Sequence, residues 1–238
     1  YIKFGEMLDR ALKLGYDGIA TGHYAKIGYD EQYGRYLLVR PSDRKKDQTY
    51  VLYSMTQFQL EHTLFPLWDR SKEQNRALAE RYGLPNAGKP DSQDICFVPD
   101  GDYAAFIERH TGRTFPGGDF VDTKGNVMGR HGGIVRYTVG QRKGLGVTFG
   151  RPVYVCGKDA ERNTVTLGDS DALLTITAAA EDVNLIAVPD ISEPVRITAK
   201  TRYNMTDAAG TLERFGDSKI KVTFDVPQRA VTKGQALV

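Results

Sequence analysis

Cys96 ends the run Gly88-Lys89-Pro90-Asp91-Ser92-Gln93-Asp94-Ile95-Cys96-Phe97, a polar, turn-rich approach to a short apolar segment. Pro90 and the Asp91/Ser92 pair favour a turn, because proline presets φ and short polar side chains bond their own backbone. Ile95-Cys96-Phe97-Val98 reads as a strand or the start of one. A thiol at such a junction can be aimed into a cleft, and Lys89 nearby favours the thiolate, which is the nucleophilic form. The residue fits equally a small buried hydrophobe, the commonest fate of a free cysteine. Both readings stand on this segment alone. The other cysteine, Cys156, lies inside the strand-like Val153-Tyr154-Val155-Cys156 and reads as structural.

Cationic groups are the second chemical resource. Net charge is only +2 over 238 residues, which does not by itself announce a polyanionic partner. Local distribution says more. Arg40-Pro41-Ser42-Asp43-Arg44-Lys45-Lys46 is a basic loop, and Arg136, Arg142, Lys143 and Arg151 fall within 16 residues, in and just after a glycine-rich stretch over 129–150. Such clusters can neutralise phosphates, and equally they can be solvated faces. Two cysteines 60 positions apart make neither a disulfide framework nor a zinc pattern. With no apolar run of about 18 residues, nothing is expected to span a membrane. With no leader pattern, a reducing, cytoplasmic setting is expected.

These groups need elements to hold them. Phe4, Met7, Leu8, Ala11 and Leu12 share one helix face, and Gly15 follows as a stop. Gly18-Ile19-Ala20-Thr21 reads as a buried strand, then Gly22-His23-Tyr24 as a glycine turn. Helix, strand and turn in that order form one unit of an α/β sheet, whose ligands sit beyond the carboxyl ends of strands. Gly22 and His23 therefore stand at a candidate site edge. A hairpin is expected from Tyr24–Ile27 and Arg35–Arg40, a short helical turn at Gln57–Leu60, and a helix capped by Ser71 and stopped by Gly83. Beyond Pro99 a short helix over Tyr103–Arg109 precedes turns at 111–113 and 116–119. From about Pro152 the chain reads as short strands at even spacing, including Val183–Ile186 and Ala236–Val238, the pattern of a small barrel or sandwich.

Seven stretches occur in the order known from one family: Ile2-Lys3-Phe4, Ala20–Ala25, Lys46–Leu52, Asp91–Phe97, Gly140–Gly146, Lys200-Thr201-Arg202-Tyr203 and Pro227–Val231. On these the chain resembles the bacterial tRNA-specific 2-thiouridylases, within the PP-loop ATP pyrophosphatase superfamily. The resemblance implies ATP-dependent transfer of sulfur from a cysteine persulfide to C2 of the wobble uridine of tRNA, with a sulfur-relay protein as donor. It implies Cys96 as the persulfide cysteine, Gly22 against the adenine nucleotide, and His23, Lys46, Asp47, Gln48, Arg202, Tyr203 and Gln235 on tRNA. Lysine and arginine suit phosphate, amide and carboxylate groups suit bases and sugars, and a tyrosine plane suits an unstacked base. Gly140–Gly146, with Arg142 and Lys143, reads either as an RNA-facing loop or as an interdomain turn.

The family's Ser-Gly-Gly-Val-Asp-Ser nucleotide loop, the cysteine that closes a disulfide with the persulfide cysteine, and its neighbouring aspartate have no match in this sequence. ATP, with magnesium, is therefore expected of a longer enzyme, and this chain, read as an amino-terminally truncated form, is expected to be inactive alone. The expected architecture is an α/β remnant of a PP-loop domain over 1–98, a small central tRNA-binding domain over 99–150 and a C-terminal β-barrel over 151–238. No metal site is expected among its side chains. Two readings compete with the enzyme. A tRNA-binding module without catalysis would use the basic loops and β-rich tail alone. Another PP-loop enzyme of the amidotransferase type fits less well, because the tRNA-facing matches lie outside the nucleotide domain.

Overall fold

A helical run opens the chain, π-wound over Ile2–Met7 and continuing as α1 over Leu8–Lys13, in a computed structural model that describes residues 2–85, 87–88, 98, 101–216 and 218–238. Leu8 is the residue this helix buries, and Gly15 turns the chain at φ +86°. A two-residue strand, β1 (Ile19–Ala20), follows, then a hairpin of β2 (Lys26–Asp30) and β3 (Arg35–Val39). The hairpin turn is held by Asp30 Oδ1, which accepts from the amides of Gln32 and Tyr33, and Gly34 supplies the positive φ. Next come α2 (Gln57–Glu61), β4 (Thr63–Leu64) and α3 (Lys72–Arg81). Both of these helices begin in capping boxes, Thr56 with Gln59 and Ser71 with Gln74, so two orphan amides at each start are satisfied.

β1 and β4 pair in parallel, Ile19 opposite Thr63 and Ala20 opposite Leu64. The approach just before β1 is very close. A Cβ on Gly18 would lie 2.3 Å from the His62 carbonyl oxygen, so a side chain there could not coexist with this pairing. Ala25, Leu52, Met55, Leu60 and Phe65 form the core of this region, with Phe4, Ile27, Tyr36, Leu38 and Ile186 packed on it.

The central segment starts with α4 (Tyr103–Thr111), capped by Asp102 and ended by left-handed Gly112. Strands β5 (Gly118–Val121), β6 (Val127–His131), β7 (Tyr154–Asp159) and β8 (Thr164–Gly168) form one sheet in the order β6-β5-β8-β7. β5 and β8 run parallel, and the other two pairs are antiparallel. The sheet thus joins segments on either side of residue 150. Residues 116–119, expected as a turn, instead lead into β5. A Cβ on Gly118 would lie 2.1 Å from the Asn163 carbonyl oxygen, and the Asn163 amide donates to the carbonyls of Pro116 and Gly117, so this glycine serves strand approach rather than reversal. Phe120, Tyr137, Leu145, Val153, Val155, Val165 and Leu167 fill the core.

The last strands, β9 (Leu174–Ala180), β10 (Val195–Ala199), β11 (Ala208–Arg214) and β12 (Ile220–Arg229), pair in the order β10-β11-β12-β9. Val183–Ile186, expected as a strand, joins no sheet. Its carbonyls accept from side chains instead: Leu185 and Ile186 from Arg35, and Ile186 also from Gln57. Ala236–Val238 is not a sheet strand either, although Val238 exchanges both backbone hydrogen bonds with Lys200. The chain forms two compact units, one of residues 1–90, 179–222 and 236–238, the other of 91–178 and 223–235.

Candidate functional site

Gly22 and His23 lie just beyond the end of β1, after Thr21. Gly22 is exposed, and a Cβ there would meet nothing closer than Leu67 Cδ1 at 3.7 Å. Packing does not demand glycine at 22, in contrast to Gly18. His23 is differently placed. Its ring lies 5.8 Å from those of Phe4 and Phe65, and Nδ1 is hydrogen-bonded to Thr21 Oγ1 at 2.8 Å. Burial pushes its pKa below the ordinary value, and the charge of Lys3 adds to this, so the neutral ring is favoured.

The basic loop is a short 3₁₀ turn, Arg44–Lys46, capped by Asp43, followed by a second over Thr49–Leu52. Arg44 and Lys45 are exposed, and Lys46 is half-buried. Lys46 borders a groove of about 400 Å³ with Lys72, Glu73, Arg76 and Glu80 of α3. The two residues after it are engaged internally. Asp47 Oδ1 accepts from the Thr49 amide (2.9 Å) and hydroxyl (2.7 Å), while Oδ2 faces Arg40 Nε at 3.4 Å. Gln48 exchanges hydrogen bonds with Tyr24, its Oε1 accepting from the Tyr24 amide and its own amide donating to the Tyr24 carbonyl. Both residues hold the turn that carries Lys46.

Arg202 and Tyr203, more than 150 positions further on, sit in a turn between β10 and β11 within the same compact unit. The Tyr203 ring is exposed and lies 6.0 Å from that of Tyr50, whose hydroxyl donates to the Ala236 carbonyl. Arg40 Nη1 forms a short ion pair with Asp207 Oδ2, and Lys200 Nζ lies 3.7 Å from Asp207 Oδ1. The Arg40 guanidinium holds the Asp207 carboxyl below the usual carboxylate range, and Asp207 in turn raises Arg40. The structure therefore brings Lys46, Asp47, Gln48, Arg202 and Tyr203 into one neighbourhood. The residues that tie it together, Arg40, Tyr50 and Asp207, were not singled out as site residues from the sequence. Arg40 is marked in the sequence as a strand end and as part of a basic loop, and nothing local marks a partner 167 positions away.

Gln235 belongs to the other unit, exposed in a turn where its amide donates to the Thr232 carbonyl. In that unit the 140–146 loop is anchored at both ends. The Gly140 amide donates to the Val155 carbonyl, the Val155 amide donates to the Gln141 carbonyl, and Leu145 is buried in the core. Arg142 and Lys143 are left exposed. Cys156 is half-buried at a bulge between β7 and β8, its thiol donating to the Tyr154 carbonyl, and burial raises its pKa. That suits an inert thiol. Cys96 lies outside the described residues, as does most of its approach.

At exposed Gly22 the backbone can be approached without a side chain in the way. Among the described residues, no group of three or more His, Cys, Asp or Glu side chains could hold a metal ion. No described helix is long and apolar enough to cross a membrane.

Three family models match in succession: the tRNA methyl transferase HUP domain over residues 1–100, the tRNA methyl transferase PRC-barrel domain over 104–169, and the aminomethyltransferase beta-barrel domain over 176–238. The α/β domain fragment, the separate middle domain and the C-terminal β-barrel expected from the sequence are thus all present, and the match gives the middle domain a PRC-barrel type that the sequence reading did not specify. Among curated relatives, a tRNA-specific 2-thiouridylase MnmA of Acetivibrio thermocellus is 51% identical over 238 residues, all of this chain and 66% of the relative. The protein of the same name from Clostridioides difficile is 49% identical, again over all of this chain and 66% of its own length. That of Desulfitobacterium hafniense is 48% identical over 247 aligned residues, all of this chain and 67% of the relative. The chain spans about two thirds of the length of the relatives it matches. With order, spacing and identity sustained from end to end, the chain belongs to the family of the tRNA-specific 2-thiouridylases.

Proposed function

We propose that this chain acts in the 2-thiolation of tRNA, binding the anticodon region and carrying the sulfur on Cys96. ATP, when bound, supplies the adenylate that turns the C2 oxygen of uridine into a leaving group. The persulfide of Cys96 then attacks C2, and the C2–O bond breaks as AMP departs. Release of sulfur to the base breaks the Cys96 S–S bond, and a second thiol takes up Cys96 as a disulfide. The phosphate loop and that second thiol have no match in these 238 residues, so the chain by itself binds tRNA without thiolating it. A sulfur-relay protein loads Cys96. Lys46 and Arg202 take backbone phosphates, Tyr203 and Gln235 take bases or sugars, and Gly22 borders the adenine. Asp47, Gln48 and His23 hold their loops in place beside the RNA.

One observation carries this reading. Two short segments matching a single family's tRNA-facing motifs, 46–48 and 202–203, are far apart in sequence and neighbours in space. Their cationic and aromatic side chains gather in one compact unit. A binding and reconstitution experiment tests it. The chain alone should bind unmodified tRNA transcripts with a wobble uridine and form no 2-thiouridine. Fused behind the amino-terminal third of the Acetivibrio thermocellus relative and given ATP and a persulfide donor, it should form 2-thiouridine, read by nucleoside mass spectrometry. Cys96→Ser should abolish the product, and Cys156→Ser should leave it. Binding without product in the fusion, despite intact Cys96, would favour the non-catalytic tRNA-binding module. Absence of binding would end both readings.

A further inference from the structure

We infer that Arg40 and Asp207 are positioning residues that lock the Lys46 turn to the Arg202–Tyr203 turn, so that tRNA affinity depends on two side chains that do not themselves engage RNA. The inference rests on the tRNA-binding reading above and adds to it the device that sets the spacing of the two RNA-contacting turns.

The geometry is a line of alternating charge. Asp47, whose side chain is only 8% exposed, faces Arg40 at 3.4 Å; Arg40 pairs with Asp207; Asp207 faces Lys200 at 3.7 Å. Each end is fastened to backbone. Asp47 takes the Thr49 amide and hydroxyl and so defines the turn following Lys46. Lys200 exchanges both backbone hydrogen bonds with Val238, two residues before Arg202. Arg40 itself directly follows β3, so the middle of the line is carried by a strand end rather than a loop tip. An arginine suits this place because its rigid fork can serve two carboxylates at once, whereas a lysine offers a single point charge. The rings of Tyr50 and Tyr203 make a second contact between the same two segments.

The line contains two acids and two bases, so its charges cancel. A neutral device adds little to the number of phosphates neutralised, and salt dependence counts those phosphates. Positioning and phosphate contact therefore separate in one measurement. The Arg40→Gln chain should bind a wobble-uridine tRNA transcript roughly tenfold more weakly than the parent, the scale of coupling between residues in one charged network. The slope of log affinity against log salt should stay unchanged. Lys46→Gln should instead lower that slope by close to one unit. Asp207→Asn should match Arg40→Gln, the double variant should be no worse than either alone, and Arg40→Lys should recover part of the affinity. Unchanged affinity in Arg40→Gln, a slope reduced by about one unit in it, or additive losses in the double variant would each overturn the inference. Amide exchange at Thr49 and Lys200 needs no RNA and keeps the two proposals apart. Should the parent chain bind no tRNA, the functional reading fails. Exchange at both amides should still accelerate in Arg40→Gln, and unaltered exchange would overturn the link by itself.

Discussion

A histidine after a strand invites a catalytic or RNA-contacting role, yet the surroundings of His23 favour the uncharged ring. Phe4 and Phe65 approach it edge-on or tilted, Thr21 occupies Nδ1, and both burial and the Lys3 charge lower its pKa. The sign of the consequence follows from proton counting. When the folded state holds a histidine below its ordinary pKa, the unfolded chain binds the extra proton first, so stability rises with pH through that range. The His23 contribution should be complete above about pH 6.5 and fade as the pH falls through the folded-state value. Urea unfolding at about pH 7.5 and about pH 5 should show a loss on acidification that is smaller in His23→Gln. An equal loss in both chains would assign the acid sensitivity to other groups. His131 is held at both ring nitrogens in the central core: its Nε2 lies 3.1 Å from the Asn163 carbonyl oxygen, and the Gly133 amide donates to its Nδ1.

Helices whose signals lie within a few residues are legible in the sequence, and α3 is the plainest case. Ser71 bonds the Gln74 amide while Gln74 returns to the Ser71 amide, and Gly83 at φ +64° closes the far end. α3 has no fully buried residue, so its ends carry much of its definition. Ser71→Ala should cost about 1 kcal/mol and raise amide exchange in the first turn. A change confined to the far end of the helix would contradict the capping account. Strands were less legible. β2 and β3 overlap the strands of the expected hairpin, and β7–β12 follow the short strands expected from about Pro152, because local composition marks them. β5 was hidden because Gly117 and Gly118 read as a reversal, whereas Gly118 serves a close approach to Asn163, some 45 positions later, and Gly117 a close approach to the His131 carbonyl. Val183–Ile186 has the composition of a strand, but Arg35 and Gln57 take the carbonyls that a ladder would use. The Asn184 amide donates to the Tyr53 and Met55 carbonyls in turn. Composition reports what a segment can pair with, and the side chains that outcompete the ladder lie elsewhere in the chain.

At the scale of the molecule, the motifs of the site were visible one by one and their grouping was not. The return of residues 179–222 to the unit built on 1–90 depends on contacts such as Arg40–Asp207 and Arg35 with the 185–186 carbonyls, which no local pattern announces. Each unit has its own apolar core, one around Leu52, Leu60 and Phe65, the other around Phe120, Val155 and Val165. Two cores allow two unfolding events, since cooperativity across a chain of several domains is not assured. Phe120 decides the matter for the second core. It is fully buried, and His131, Tyr137 and Phe149 set their rings edge-on to it at 5.5, 5.1 and 6.3 Å. Phe120→Ala removes both the burial and those ring contacts and should cost about 3–5 kcal/mol. In hydrogen exchange followed by mass spectrometry, protection should collapse in peptides covering β5 and β8. Peptides covering α2 and the β2–β3 hairpin should keep theirs. Equal loss in all of them would mean that the two cores unfold as one, and that the division into units describes packing without describing stability.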